Sequence, residues 1–217
     1  MNSTSKTKKI ILIAMMCAIA YVVMLIGRVP IVMFLKYDPK DVIITIGGFI
    51  LGPLASFIIS LIVSFVEMLT ASDTGIIGCV MNIISSCAFA CTAAAIYKKN
   101  HTISGAVIGL ASGCAAMTVI MLLWNYFLTP IYLGYPRQAV ADMLLPVFLP
   151  FNLVKSGLNT AITLLLYKPI VTALRKAQLV EIQEDGRTKV NRTGIVLIST
   201  FLLATSVVFA LILKGVI

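Results

Sequence analysis

Long apolar runs separated by short polar stretches set the plan of this chain. The runs cover residues 10–26, 42–51, 54–69, 76–97, 103–127, 144–174 and 195–213. Most approach or exceed the roughly 20 residues that an α-helix, rising 1.5 Å per residue, needs to cross a ~30 Å hydrocarbon layer. The run 42–51 is too short to cross alone and is punctuated by Gly47, Gly48, Gly52 and Pro53. It is expected to be broken, tilted or extended by its polar flank. The run 144–174 carries a polar interruption, and 195–213 carries no charge at all. The first run follows Lys6, Lys8 and Lys9 but lacks a small-x-small cleavage site, so it reads as an uncleaved span. The pattern predicts an all-α membrane protein. A membrane domain fills 1–176, a charged cytoplasmic linker 177–194, and an extra C-terminal transmembrane helix 195–217.

Composition agrees. Of 217 residues, 60% are apolar and 12% charged, and the mean hydropathy is +1.05. No soluble domain of this size hides so much hydrocarbon from water, so the lipid bilayer is the first partner. The formal charge of +9 does not point to nucleic acid, because Lys and Arg sit mainly at the ends of the runs and no basic-aromatic stripe is present. With the N-terminus in the cytoplasm, eleven basic residues fall inside, from Lys6 to Arg192. Five fall outside (Arg28, Lys36, Lys40, Arg137, Lys214), and Lys155 stays within a span. Positive residues favour the inside, which predicts a cytoplasmic N-terminus and, after seven crossings, an extracellular C-terminus. Asp38, Asp41, Glu67, Asp73 and Asp142 then lie toward the exterior.

The five cysteines all fall inside apolar runs without a CxxC pair, and His101 is the single histidine. No metal site and no cofactor are implied. Walker A, GxSxG, HExxH and dinucleotide patterns are absent, so no nucleotide chemistry is assignable and an enzyme is not expected. The remaining enzymatic alternative is a membrane enzyme acting on lipid or peptide with Glu67 as acid or base, which lacks a partnered nucleophile.

The strongest local pattern is the segment 150–159, where Asn152, Lys155 and Asn159 recur at steps of three and four and share one helical face. An ionisable group at that depth faces protein, a cavity or a ligand. Lys155 is either a binding residue or a structural one, snorkelling or paired with Glu67. Asn125, between Trp124 and Tyr126, adds an amide at the end of the fifth run, and Asn82 another in the fourth, either for a ligand or for helix–helix bonding. Amides beside aromatics suit a flat heterocycle, stacked and hydrogen-bonded at its edge. The outer loop 34–42 combines Tyr37 with an Asp-Pro turn, as an external gate does; Asp41 there is also a candidate helix cap. The candidate substrate-binding set is therefore Asn125, Asn152, Lys155, Glu67, Asn82, Tyr37 and Asn159. Small-residue ladders at Gly105/Gly109/Gly113, Ser56/Ser60/Ser64 and Ala14/Ala18 mark close helix contacts.

Lys36-Tyr37-Asp38-Pro39-Lys40-Asp41, then Gly47-Gly48-Phe49-Ile50-Leu51-Gly52-Pro53, then Trp124-Asn125-Tyr126 with Thr129-Pro130-Ile131-Tyr132, then Leu149-Pro150-Phe151-Asn152-Leu153-Val154-Lys155 follow one another along the chain. In that order they resemble the riboflavin-specific S components of energy-coupling factor (ECF) transporters. The resemblance runs from about residue 14 to 174. It implies a six-transmembrane-helix S-component bundle that captures riboflavin from outside. Such a bundle docks on a transmembrane coupling protein with two ATPases and topples in the bacterial cell membrane to deliver the vitamin. It also implies flavin contacts at Asn125, Asn152 and Lys155, and an AxxxA contact with the coupling protein at Ala14 and Ala18. An S component for another small vitamin or heterocycle is the alternative, and the seventh run lies outside the resemblance.

Overall fold

A computed structural model of the chain describes residues 3–33, 35–72, 74–176 and 192–216. Phe34, Asp73 and most of the expected linker 177–194 lie outside the described residues. In chain order the elements are α1 (Ser3–Gly27), a hairpin of β1 (Val29–Val32) and β2 (Leu35–Tyr37), α2 (Lys40–Leu51), α3 (Pro53–Thr70) and α4 (Gly75–Ser86). A wide turn over Cys87–Cys91 leads to α5 (Thr92–Lys99), followed by α6 (Ile103–Leu133) and α7 (Arg137–Met143). A second wide turn over Leu144–Phe148 leads to α8 (Leu149–Lys176), and α9 (Arg192–Leu213) comes last. Six stretches among the described residues are long and apolar enough to cross a membrane: Lys6–Gly27, Pro53–Thr70, Gly75–Lys99, Ile103–Tyr132, Arg137–Leu174 and Val196–Leu213. This is the all-α membrane bundle that the hydrophobic runs predict.

The short second run becomes α2, which takes in its polar flank and starts at Lys40. At 12 residues it is roughly 18 Å long, too short to span. It is buried from Lys40 through Phe49 and packs against α1, α3, α5 and α8, so it is the central helix of the bundle. It stops at Gly52, whose φ of +95° suits only glycine, and Pro53 opens α3 at a position that needs no N–H. Asp41 does not cap α2: the N-cap is Pro39, with no side-chain capping bond. Its carboxylate is used elsewhere.

The glycine ladder packs within the chain. A Cβ on Gly109 would sit 2.7 Å from the Ala93 carbonyl oxygen, and one on Gly113 2.5 Å from that of Phe89. Only bare backbone therefore lets α6 lie against the strand of helix running from the first wide turn into α5. Ser56, Ser60 and Ser64 are likewise buried, with the Ser56 hydroxyl donating to the Ile44 carbonyl across α2 and α3 at 3.1 Å.

Two features were not anticipated. The outer loop is an antiparallel hairpin, pairing Val29 with Tyr37 and Pro30 with Lys36. Its inward side chains Ile31, Leu35 and Tyr37 share a core with Val140, Phe148, Phe151, Val154 and Leu158, so the loop is a packed cap on one end of the bundle. The wide i→i+5 turns each sit just ahead of or just after polar residues of α4 and α8, a placement common at functional sites. Pro146 lies in the second of them.

Candidate functional site

Four helices and the hairpin bring polar side chains to the capped end. α3 supplies Glu67, α4 Asn82 and Ser85, α6 Asn125, and α8 Asn152 and Lys155. These line one cleft with Arg28, Lys36 and Asp38 beside the hairpin, and with the apolar Leu35, Met81, Met121 and Phe151. The cleft holds about 70 Å³, room for a few waters.

Two amides are fixed by their own helices. Asn125 Nδ2 donates to the Met121 carbonyl at 2.7 Å, and its Oδ1 accepts from the Thr129 hydroxyl at 2.9 Å. Asn152 Nδ2 donates to the Phe148 carbonyl at 2.7 Å. Each acceptor one turn back settles which end of the amide is nitrogen. Each amide still has one further N–H and acceptor capacity for a ligand.

The charges form two linked groups. Glu67 accepts from Arg28, from Lys40 and, at 3.0 Å, from Asn82 Nδ2. Arg28 Nε also donates to Asp38 at 2.6 Å, and its Nη1 reaches the Ala71 carbonyl at 3.0 Å. The second group centres on Asp41, which accepts from Ser86 and from Asn159 Nδ2 at 3.3 Å and forms an ion pair with Lys155 at 3.4 Å. Lys155 also lies 3.4 Å from the Ser85 hydroxyl. Three cations, Arg28, Lys40 and Lys155, thus face three carboxylates, Asp38, Glu67 and Asp41. Such balance is what makes burying them tolerable.

Of the residues singled out from sequence, Asn125, Asn152, Lys155, Glu67 and Asn82 meet in the cleft. Lys155 is not paired with Glu67; helix packing gives it Asp41 and gives Glu67 to Arg28 and Lys40. Asn159 and Tyr37 do not line the cleft. Asn159 lies one turn below Lys155 and holds Asp41. Tyr37 is buried under the hairpin, and burial, with Asp41 and Asp38 adding to it, pushes its phenol pKa up. Sequence reasoning missed Arg28, Lys40 and Asp41 as site residues. A signal existed: Lys40 and Asp41 are the polar flank of an apolar run too short to span, so a helix extended through them carries both into the bundle. Among the described residues no group of three or more His, Cys, Asp or Glu side chains is placed to hold a metal ion.

A family model described as "ECF transporter, substrate-specific component" matches residues 8–167. The chain belongs to this family. Riboflavin transporter FmnP of Bacillus subtilis (strain 168) is 31% identical over 190 residues, covering 80% of this chain and 99% of the relative. Riboflavin transporter RibU of Staphylococcus aureus (strain TCH60) is 28% identical over 180 residues, covering 79% and 94%. A solved structure of the S component of a bacterial ECF transporter superposes with a TM-score of 0.67 at 28% identity, covering 78% of this chain and 99% of that one. This S component is thus a multi-pass membrane protein of a transport system. Its α9 lies beyond the family match. That helix packs on α8 and β1, while Ala14 and Ala18 on α1 remain exposed.

Proposed function

We propose that this S component captures riboflavin in the cleft under the hairpin and hands it to a module of one transmembrane coupling protein and two ATPases. The observation that carries the reading is the convergence of Asn125, Asn152 and Lys155, from two helices, on a single cleft whose apolar walls are Leu35, Met81, Met121 and Phe151. Apolar and aromatic faces suit a fused ring, and amides with an ammonium suit the carbonyls and nitrogens of its edge. Both similar transporters of the two bacteria are named for riboflavin. The cleft's 70 Å³ is well below the roughly 300 Å³ at which small-molecule sites begin, so the hairpin and helix walls part for the vitamin to pass.

In this reading the N-terminus lies in the cytoplasm and the cleft opens outside the bacterial cell membrane, the orientation that the distribution of Lys and Arg favours. Short as it is, α2 leads away from the capped end and α3 returns to it, since Lys40 at the start of the one meets Glu67 near the end of the other; counted with that pass, α9 is the seventh and leaves the C-terminus outside. The exposed Ala14 and Ala18 form the contact for the coupling protein, since small residues let a partner helix approach closely.

The test is titration of the purified protein with riboflavin, followed by quenching of flavin fluorescence and by the absorption spectrum of copurified ligand. Stoichiometric quenching supports the reading, and absence of binding at micromolar concentration rejects it. Displacement of bound flavin by another vitamin in a competition panel would move the assignment to that vitamin. Uptake that is independent of the ATPases would remove the coupling module from the account.

A further inference from the structure

We propose that α9 supplies positioning residues for the cleft, Leu203, Ser206 and Leu213, and thereby sets how fast a ligand enters and leaves. The proposal rests on the riboflavin reading above. α9 lies outside residues 8–167 that match the family, and a solved S component is accounted for almost end to end by 78% of this chain. The cleft is therefore framed without α9.

What α9 adds is packed against a core that the cleft walls share. Leu203, Ala210 and Leu213 pack into the core that contains Ile31, Leu35, Phe151 and Val154, and Leu35 and Phe151 themselves line the cleft. The helix packs on α8 and on the first strand of the hairpin, β1. Its inward face carries two serines seven residues apart, two helical turns: Ser199 and Ser206 are 0% and 8% exposed, whereas Phe201 on the opposite face is 72% exposed. Small residues on the buried side are the mark of a specific helix contact, not of a helix that merely floats in lipid. The contact is close. A Cβ on Gly157 would lie 2.8 Å from the Ser206 hydroxyl oxygen, two residues from Lys155.

A cleft of about 70 Å³ must widen for a fused-ring vitamin to pass in either direction. No residue of α9 lines the cleft, so it acts on the widening and not on the contacts made once the ligand is seated. Loosening α9 should therefore speed entry and exit together and leave affinity nearly unchanged. General destabilisation would instead weaken affinity.

Stopped-flow fluorescence of riboflavin with the full chain tests this. Leu203→Ala with Leu213→Ala, and separately Ser206→Leu, should raise both kon and koff about fivefold with Kd within about twofold of wild type, while Phe201→Ala changes neither. If the double variant does not fold, Leu213→Ala alone must move both rates in the same direction. Wild-type rates in all of these variants, or a koff increase with kon unchanged, would overturn the brace alone. Absence of quenching by the wild type overturns the riboflavin reading and the brace with it.

Discussion

The ammonium of Lys155 lies 3.4 Å from Oδ2 of Asp41, and the two residues join the cleft wall on α8 to the central helix α2. Asp41 is fully buried and also accepts from Ser86 and Asn159. A lysine of the cleft wall is thus held by a carboxylate that does not itself line the cleft. Breaking one side of such a pair leaves an uncompensated buried charge, whereas replacing both sides does much less harm.

Asp41→Asn should lower stability by about 3–5 kcal/mol and weaken riboflavin binding at the same time. Adding Lys155→Met to Asp41→Asn should recover part of the stability but none of the binding. Unfolding in detergent, paired with flavin titration, separates the two effects. Equal stability of the single and double variants would contradict the pairing.

Asn152 and Asn159 sit on one face of α8 but have different duties. Asn152→Ala removes a cleft amide and should weaken riboflavin binding by about tenfold or more, the worth of roughly 1–3 kcal/mol of lost hydrogen bonding. Asn159→Ala should act chiefly on stability, through Asp41. Titration and thermal unfolding of both variants should therefore give opposite rankings.

Glu67 gathers Arg28, Lys40 and Asn82. Glu67→Gln leaves two cations sharing what Asp38 can offer, and should destabilise the chain by about 3–5 kcal/mol. Because Arg28 precedes the hairpin and Asp38 follows it, the variant should also expose the hairpin. Limited proteolysis should cut within 28–38 faster than in wild type, and an unchanged cleavage rate would detach the hairpin from this network.

Ala14→Leu with Ala18→Leu fills the small-residue face of α1 without reaching the cleft. Capture of the variant by the immobilised coupling module should fall, while its riboflavin titration stays as in wild type. Undiminished capture would place the partner contact elsewhere.

Gly113→Leu places a side chain where the Phe89 carbonyl oxygen would stand 2.5 Å from its Cβ. Backbone cannot yield as a flexible side chain does, so α6 must shift off its neighbour at a cost of about 1–3 kcal/mol or more. A thermal midpoint equal to wild type would refute this packing.

The sequence by itself determined that this chain lives in lipid and where its helices run, because an apolar run of span length has no other solvent. Periodicity alone put Asn152, Lys155 and Asn159 on one helical face, and the order of the motifs pointed to the family. Tertiary structure decided what those residues do. Asn159 and Asp41 are 118 residues apart in sequence, and which carboxylate finds which cation depends on how helices cross, a matter on which local spacing is silent. For the same reason Lys155 goes to Asp41 and not to Glu67, and Asn159 falls below the cleft and not within it. The hairpin was equally hidden, since its four- and three-residue strands owe their form to the core they cover and not to any alternation of their own. The last hydrophobic run read only as one more span; its packing on α8 and β1, against the core that holds Leu35 and Phe151, is something no linear pattern contained.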